Sequence, residues 1–259
     1  MLDLSFSMSE LEYFLVIVVR VTAFIFAAPF FSNGGVPSRV KIGFGILLSV
    51  MLYNIMTPVE LEYNTVLGYA VIVIKEALVG VIIGYSANIC TSILAFAGHM
   101  VDMEIGLSMV TLYDPVSNQN ITITGVFYQY TIGLMLLISG LYQYVISAIA
   151  ASFDLIPING AIFSSDKLLS GIVGFMGDYL SLGFRVCLPV FAVILIVNSV
   201  LGMLAKVSPQ LNMFAVGIQI KILAGLGVMF ITVSMLPTAS TFILSETKKM
   251  ITVFVEAMQ

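Results

Sequence analysis

The sequence predicts an all-α, polytopic integral membrane protein with about six apolar, kinked helical segments and one re-entrant loop. Three observations carry that expectation. Of 259 residues, 60% are hydrophobic and only 9% charged, against roughly 25% charged in a soluble domain, and mean hydropathy is +1.11. The apolar residues fall in runs comparable to or longer than the roughly 20 residues that span a bilayer as helix. Proline and glycine inside several of these runs suit kinked or discontinuous helices more than a plain bundle.

In chain order, the first apolar segment covers residues 11–31 and leads into the turn-rich Ser32-Asn33-Gly34-Gly35-Val36-Pro37 and the basic pair Arg39 and Lys41. Asp3, Glu10 and Glu12 precede it with no Lys or Arg before Arg20. That is the wrong charge for a cleavable signal peptide, so this segment is expected to stay in the mature protein. The second, 42–56, is short and ends at Thr57-Pro58, with Glu60 and Glu62 beyond. The third, 66–100, would measure ~52 Å as one straight helix at about 1.5 Å per residue, well beyond the roughly 30 Å hydrocarbon core. It must tilt, bend or project, with Gly80 and Gly84 as bend or close-packing points. The fourth, 126–153, closes at Asp154 and Pro157; a loop through Asp166-Lys167 leads to the fifth, 168–205, overlong and broken by Pro189. The sixth, 213–244, carries Pro237 and ends before Lys248-Lys249. No repeat or low-complexity tract interrupts this order.

Between the third and fourth segments lies the longest interruption, residues 99–120, HMVDMEIGLSMVTLYDPVSNQN. It mixes Met100, Met103, Ile105, Leu107, Met109, Val110 and Leu112 with Gly106 and three carboxylates, Asp102, Glu104 and Asp114, before the turn-initiating Asp114-Pro115. A loop in water has little reason to keep so many apolar side chains, and a membrane helix would not hold two carboxylates within three residues. The segment suits a buried re-entrant or pore-facing loop, because irregular backbone at membrane depth survives only inside protein or beside a water-filled cavity. A juxtamembrane connection with an amphipathic edge is the alternative. Clustered, compressible thioethers are what a gate needs as a seal, although most methionines in membrane helices simply pack against lipid or neighbours.

Charges inside the apolar segments cost about 2.5–3.5 kcal/mol each at a helix centre. They are Arg20, Lys75, Glu76, Asp178, Arg185 and Lys221. Two readings stand: a proton or ion relay, or polar contacts between helices or between subunits, with snorkelling at boundaries. Asp178 and Arg185 are two helical turns apart and share a face, whereas adjacent Lys75 and Glu76 do not. The positive-inside rule puts Arg39, Lys41 and Lys206 in the cytoplasm. Six simple crossings then leave Lys248-Lys249 on the wrong side, a misfit that a segment entering and returning would relieve.

Catalytic chemistry finds no foothold. There is no CxxC, HExxH, phosphate loop or nucleophile elbow, so no catalytic residue, cofactor or metal ion is expected. His99 with Asp102 and Glu104 is the one conceivable metal set, and a lone histidine at a helix end is more often simply hydrogen-bonded. Cys90 and Cys187 lie in apolar runs, as buried free thiols do. A formal charge of −4 and the absence of any basic run exclude a nucleic-acid partner.

Several motifs together carry a resemblance over essentially the whole chain. They are Ala28-Pro29, Val36-Pro37-Ser38-Arg39-Val40-Lys41-Ile42-Gly43 and Glu76-Ala77-Leu78-Val79-Gly80-Val81-Ile82-Ile83-Gly84. To these add Gly106-Leu107-Ser108 through Asp114-Pro115, and Ser208-Pro209-Gln210-Leu211-Asn212-Met213-Phe214. The chain resembles the FliR/SctT family of type III secretion export-gate proteins. It departs from the flagellar pattern at Met109, where an aromatic is usual, and at Gly140-Leu141, where a Gly-His pair is usual. The resemblance implies a non-enzymatic subunit, one copy per complex, in a helical gate with several FliP-like and FliQ-like subunits, contacted by FlhB-like and FlhA-like proteins. That gate would pass unfolded flagellar proteins across the bacterial inner (cytoplasmic) membrane within the flagellar basal body. The N-terminal part would be FliP-like and the C-terminal part FliQ-like, and residues 1–259 would form one export-gate membrane domain. The loop at about 102–120 would be a plug, built from Gly106, Leu107, Ser108, Met109, Val110, Thr111, Leu112, Tyr113, Asp114 and Pro115. Much of the chain would sit raised toward the periplasm, which would account for the overlong segments and the failed charge rule. Two other readings stay open: an injectisome gate subunit, and a stand-alone secondary transporter using Arg20, Asp178, Arg185 or Lys221.

Overall fold

The computed structural model describes residues 8–29, 31, 36–56, 61, 63, 65–109, 112–114, 119–208 and 213–259. Several residues singled out above lie outside the described ones: Asp3, the turn at 32–35, Thr57, Pro58, Glu60, Glu62, Val110, Thr111, Pro115 and the stretch 209–212.

The described residues form eight α-helices: α1 (Met8–Ala27), α2 (Ser38–Ile55), α3 (Val66–Ile105), α4 (Ile123–Ile138), α5 (Leu141–Leu155), α6 (Ser165–Val207), α7 (Met213–Thr232) and α8 (Leu236–Glu256). Between α3 and α4 a 3-10 turn at Leu107–Met109 is followed by the strands β1 (Leu112–Asp114) and β2 (Gln119–Ile121). The strands pair antiparallel with Leu112 opposite Ile121 and Asp114 opposite Gln119. By length and composition, four helical stretches among the described residues suffice to cross a membrane, or five if α4 and α5 count as one span. At about 1.5 Å per residue, the 40 residues of α3 and the 43 of α6 run far past a hydrocarbon core of roughly 30 Å.

Each of the six apolar segments contains helix, but four of their expected details are corrected. The third does not stop at residue 100; α3 continues through Asp102 and Glu104 to Ile105 and ends only at Gly106, whose φ of +93° is the left-handed terminator that glycine supplies. The fourth is two helices, because Gly140 at φ +79° ends α4 in the same way. The fifth is not broken: α6 runs through Pro189, so the missing proline N–H weakens one turn without ending the helix. The sixth extends past Lys248 and Lys249 to residue 256, interrupted by a 3-10 turn at Val233–Met235. Pro237 sits in the first turn of α8, where a missing N–H costs nothing.

The chain divides into two compact units. The first comprises Met1–Ile89, Tyr142–Val173 and Glu246–Gln259. Its core is the face of α1 that carries Tyr13, Val16, Ile17, Val21, Phe24 and Ile25. The Phe14 and Tyr53 rings meet edge-on at 5.7 Å where α1 packs on α2. Gly80 and Gly84 serve as close-packing points: a Cβ on Gly80 would strike the Arg20 carbonyl, and one on Gly84 the Phe24 carbonyl. This small-xxx-small spacing lets the α1 and α3 backbones touch. Gly80→Val is therefore expected to cost about 3 kcal/mol or more, read as a lower melting temperature of the detergent-extracted chain; unchanged melting would contradict the crossing. Ahead of α3, the Tyr63 hydroxyl donates to Glu12 Oε2 at 2.6 Å, and that bond raises the Tyr63 pKa above its ordinary value. The C-terminus closes the unit, with the Ile162 amide donating to the Met258 carbonyl at 3.0 Å.

The second unit comprises Cys90–Leu141 and Gly174–Ser245. Gly98 and Gly125 bring the α3 and α4 backbones together so closely that a Cβ on Gly98 would overlap Gly125. Gly183 accommodates the Phe96 ring, and Gly225 of α7 faces Ile105. Cys90 and Cys187 are buried and not joined in a disulfide.

Candidate functional site

The loop joining α3 to α4 is the first candidate, and its stem is the best-defined part. The last turn of α3 closes when the Gly106 amide donates to the Asp102 carbonyl at 3.0 Å. Asp102 is fully buried. One carboxylate oxygen accepts the Thr124 amide at 2.8 Å, and the other accepts the Thr124 hydroxyl. Thr124 is the second residue of α4, so its amide is one of the free N–H groups of a helix start. The helix's own N-cap, Thr122, makes no side-chain capping bond. Asp102 therefore caps α4 from another helix, placing a carboxylate at the positive end of the α4 dipole. Gly106, Leu107 and Ser108 are half-buried; Leu112, Tyr113 and Asp114 form β1, Met109 ends the 3-10 turn, and Val110, Thr111 and Pro115 are outside the described residues.

The second candidate lies in the first unit. Arg20 of α1 and Glu76 of α3 are both fully buried and form an ion pair through Arg20 Nε and Glu76 Oε2. Arg20 Nη1 donates to the carbonyls of Ser152 at 3.2 Å and Ile156 at 3.0 Å, capping the C-terminal end of α5. Glu76 Oε1 accepts the amide of Asn159 at 2.9 Å. Asn159 holds φ +66°, a left-handed conformation that asparagine tolerates. The Phe153 ring lies 4.2 Å from the guanidinium, within cation–π range. Two opposite charges thus grip the end of α5 and the turn after it.

The other charged positions are not drawn into this pair. Lys75 and Lys221 are half-buried and Arg185 is exposed; Arg185 borders a mostly apolar pocket of about 190 Å³ with Tyr128, Pro189, Thr232 and Met235. Asp178 is half-buried on α6. His99 is exposed while Asp102 turns inward to Thr124, and among the described residues no three His, Cys, Asp or Glu side chains stand close enough to hold a metal ion. Sequence reasoning missed Thr124, Phe153 and Asn159. The Thr122-Ile123-Thr124 run was a usable sign of a helix start; nothing local marked the other two.

A family model described as bacterial export proteins, family 1, matches residues 11–247. The chain is 29% identical over 228 residues to the flagellar biosynthetic protein FliR of Pectobacterium carotovorum, covering 88% of this chain and 87% of that one. It is 30% identical over 213 residues to the FliR protein of Bacillus subtilis, with 81% of each chain covered. To that of Escherichia coli it is 27% identical over 216 residues, 82% of this chain and 80% of the relative.

Proposed function

From the premise that this chain belongs to the FliR family of bacterial export proteins, we propose that it is a non-enzymatic subunit of the flagellar type III export gate. Residues 1–259 work as one membrane domain of that gate in the bacterial inner membrane, within the flagellar basal body. FliP-like and FliQ-like subunits complete the channel, the N-terminal part of this chain standing in for a FliP-like subunit and the C-terminal part for a FliQ-like hairpin. FlhB-like and FlhA-like proteins contact the assembly, and its cargo is unfolded flagellar protein.

The loop from Gly106 to Pro115 is the plug in this reading. The observation that carries it is a non-helical connection between two helices, a 3-10 turn and a short strand pair among its described residues, with its stem fixed by a buried carboxylate. Non-helical backbone and open strand edges at membrane depth need protein or a lined cavity around them, and a channel wall of sister subunits supplies both. The partly exposed Lys75, Arg185 and Lys221 make inter-subunit polar contacts, since facing lipid would cost about 2.5–3.5 kcal/mol each at mid-membrane, and Asp178 makes an inter-helix or inter-subunit one. Arg20 and Glu76 make the corresponding contact between helices. Of the four charges a stand-alone transporter could use, Arg20 is closed to any solute, since that side chain has no exposed surface.

Deleting the gene in its source bacterium tests this. Secretion of flagellar proteins should stop and return when the chain is supplied from a plasmid. Normal secretion without the chain would refute the proposal.

A further inference from the structure

We propose that Asp102 is the latch that keeps the loop closed, an inference that rests on reading that loop as the plug. The stem of a plug must hold its two helix ends at a fixed separation, or the loop swings away from the path it blocks. Here one residue holds both ends. The Asp102 main chain receives the Gly106 amide and so finishes α3; its side chain receives the amide and hydroxyl of Thr124 and so starts α4. Residues 106–122 begin and end at this one point.

The surroundings reinforce the grip. Asp102 is fully buried, so water does not compete for its oxygens, and a charged acceptor makes stronger bonds than a neutral one. One turn back, Gly98 lies on Gly125 with no side chain between the backbones. From α7, Gly225 seats Ile105 of the last turn of α3, and one turn on, Met229 Sδ lies 3.8 Å from the Thr124 hydroxyl. The stem is thus braced by the C-terminal half of the chain, on the helix turn where Asp102 acts. Asp102 is a positioning residue: it touches neither cargo nor pore in this assignment and acts through the loop it anchors.

The test uses the complex with its co-purified partner subunits, reconstituted into liposomes, and reads ion leak. A second readout is the rate at which a thiol reagent labels Ser108→Cys, in a background of Cys90→Ala and Cys187→Ala. Asp102→Ala should raise both on the order of tenfold, the population shift expected when a hydrogen bond to a charged group is lost. Asp102→Asn should raise both by less than Asp102→Ala does, because its amide oxygen still accepts the Thr124 amide and its NH2 group donates to the Thr124 hydroxyl while the charge is lost. Should Asp102→Ala fail to assemble, Thr124→Val decides: it keeps the amide bond, loses the hydroxyl, and should raise labelling by roughly threefold, since a side-chain bond is lost while the capping bond remains.

If deleting residues 106–113 opens the membrane while neither Asp102→Ala nor Thr124→Val changes leak or labelling, the latch is refuted and the plug stands. If that deletion leaves conductance unchanged, the plug reading fails. Labelling then still judges whether Asp102 holds the loop, with a tenfold rise in Asp102→Ala upholding it and no rise overturning it.

Discussion

Arg20→Ala is expected to destabilise the folded chain severely. Removing one partner of a buried ion pair typically costs about 3–5 kcal/mol, because the remaining charge stays buried and uncompensated. Here the loss is wider than one pair. Arg20 also supplies the donor for two carbonyls at the end of α5 and lies against Phe153. The Glu76 that remains would still hold the Asn159 amide but with its charge unmatched. Glu76→Ala should be as damaging for the converse reason. The double variant Arg20→Met with Glu76→Leu should be less damaged than either single one, since apolar side chains of similar volume often replace a buried pair at little cost. It should still fall short of wild type, because the Ser152 and Ile156 carbonyls and the Asn159 amide lose their partners. Melting temperatures of the detergent-extracted chains check this order; single variants that melt like wild type would show that the pair does not hold the first unit together.

Deleting residues 106–113 is expected to leave the complex assembled but leaky to ions and small solutes. The deletion removes Gly106, the 3-10 turn and the first residues of β1 while leaving α3 through Ile105, Asp102 and all of α4 in place. Packing that depends on Gly98, Gly125 and Gly225 therefore has no reason to change. Conductance of the reconstituted complex, compared with wild type, is the measurement, and an unchanged conductance would remove the plug role.

Much of this fold was legible in the hydropathy pattern, since each apolar run became helix. The errors lay where one residue's backbone conformation decides an ending. Gly106 and Gly140 both take positive φ and terminate helices, whereas Pro189, the stronger sequence signal for a break, is absorbed within α6. Asp102 and Glu104 looked like loop residues because two carboxylates so close together are costly in a membrane helix. Asp102 is tolerated in α3 because the start of α4, twenty-two residues on, neutralises it. Nothing in the local sequence announces that partner. The same holds for Arg20 and Glu76, fifty-six residues apart. Their presence in apolar segments was legible, but which charge meets which is fixed by the close crossing at Gly80 and Gly84, a tertiary fact. The loop itself stood out in the sequence because its mixture of methionine, glycine and carboxylate fits neither water nor lipid.

The central claim is that this chain is one subunit of a multi-subunit export gate. Co-expressing it with the FliP-like and FliQ-like proteins of its source and weighing the detergent-extracted complex by native mass spectrometry tests it most directly. One copy of this chain bound to several copies of each partner is the result expected. A chain that purifies folded without them, self-associated, would contradict the claim.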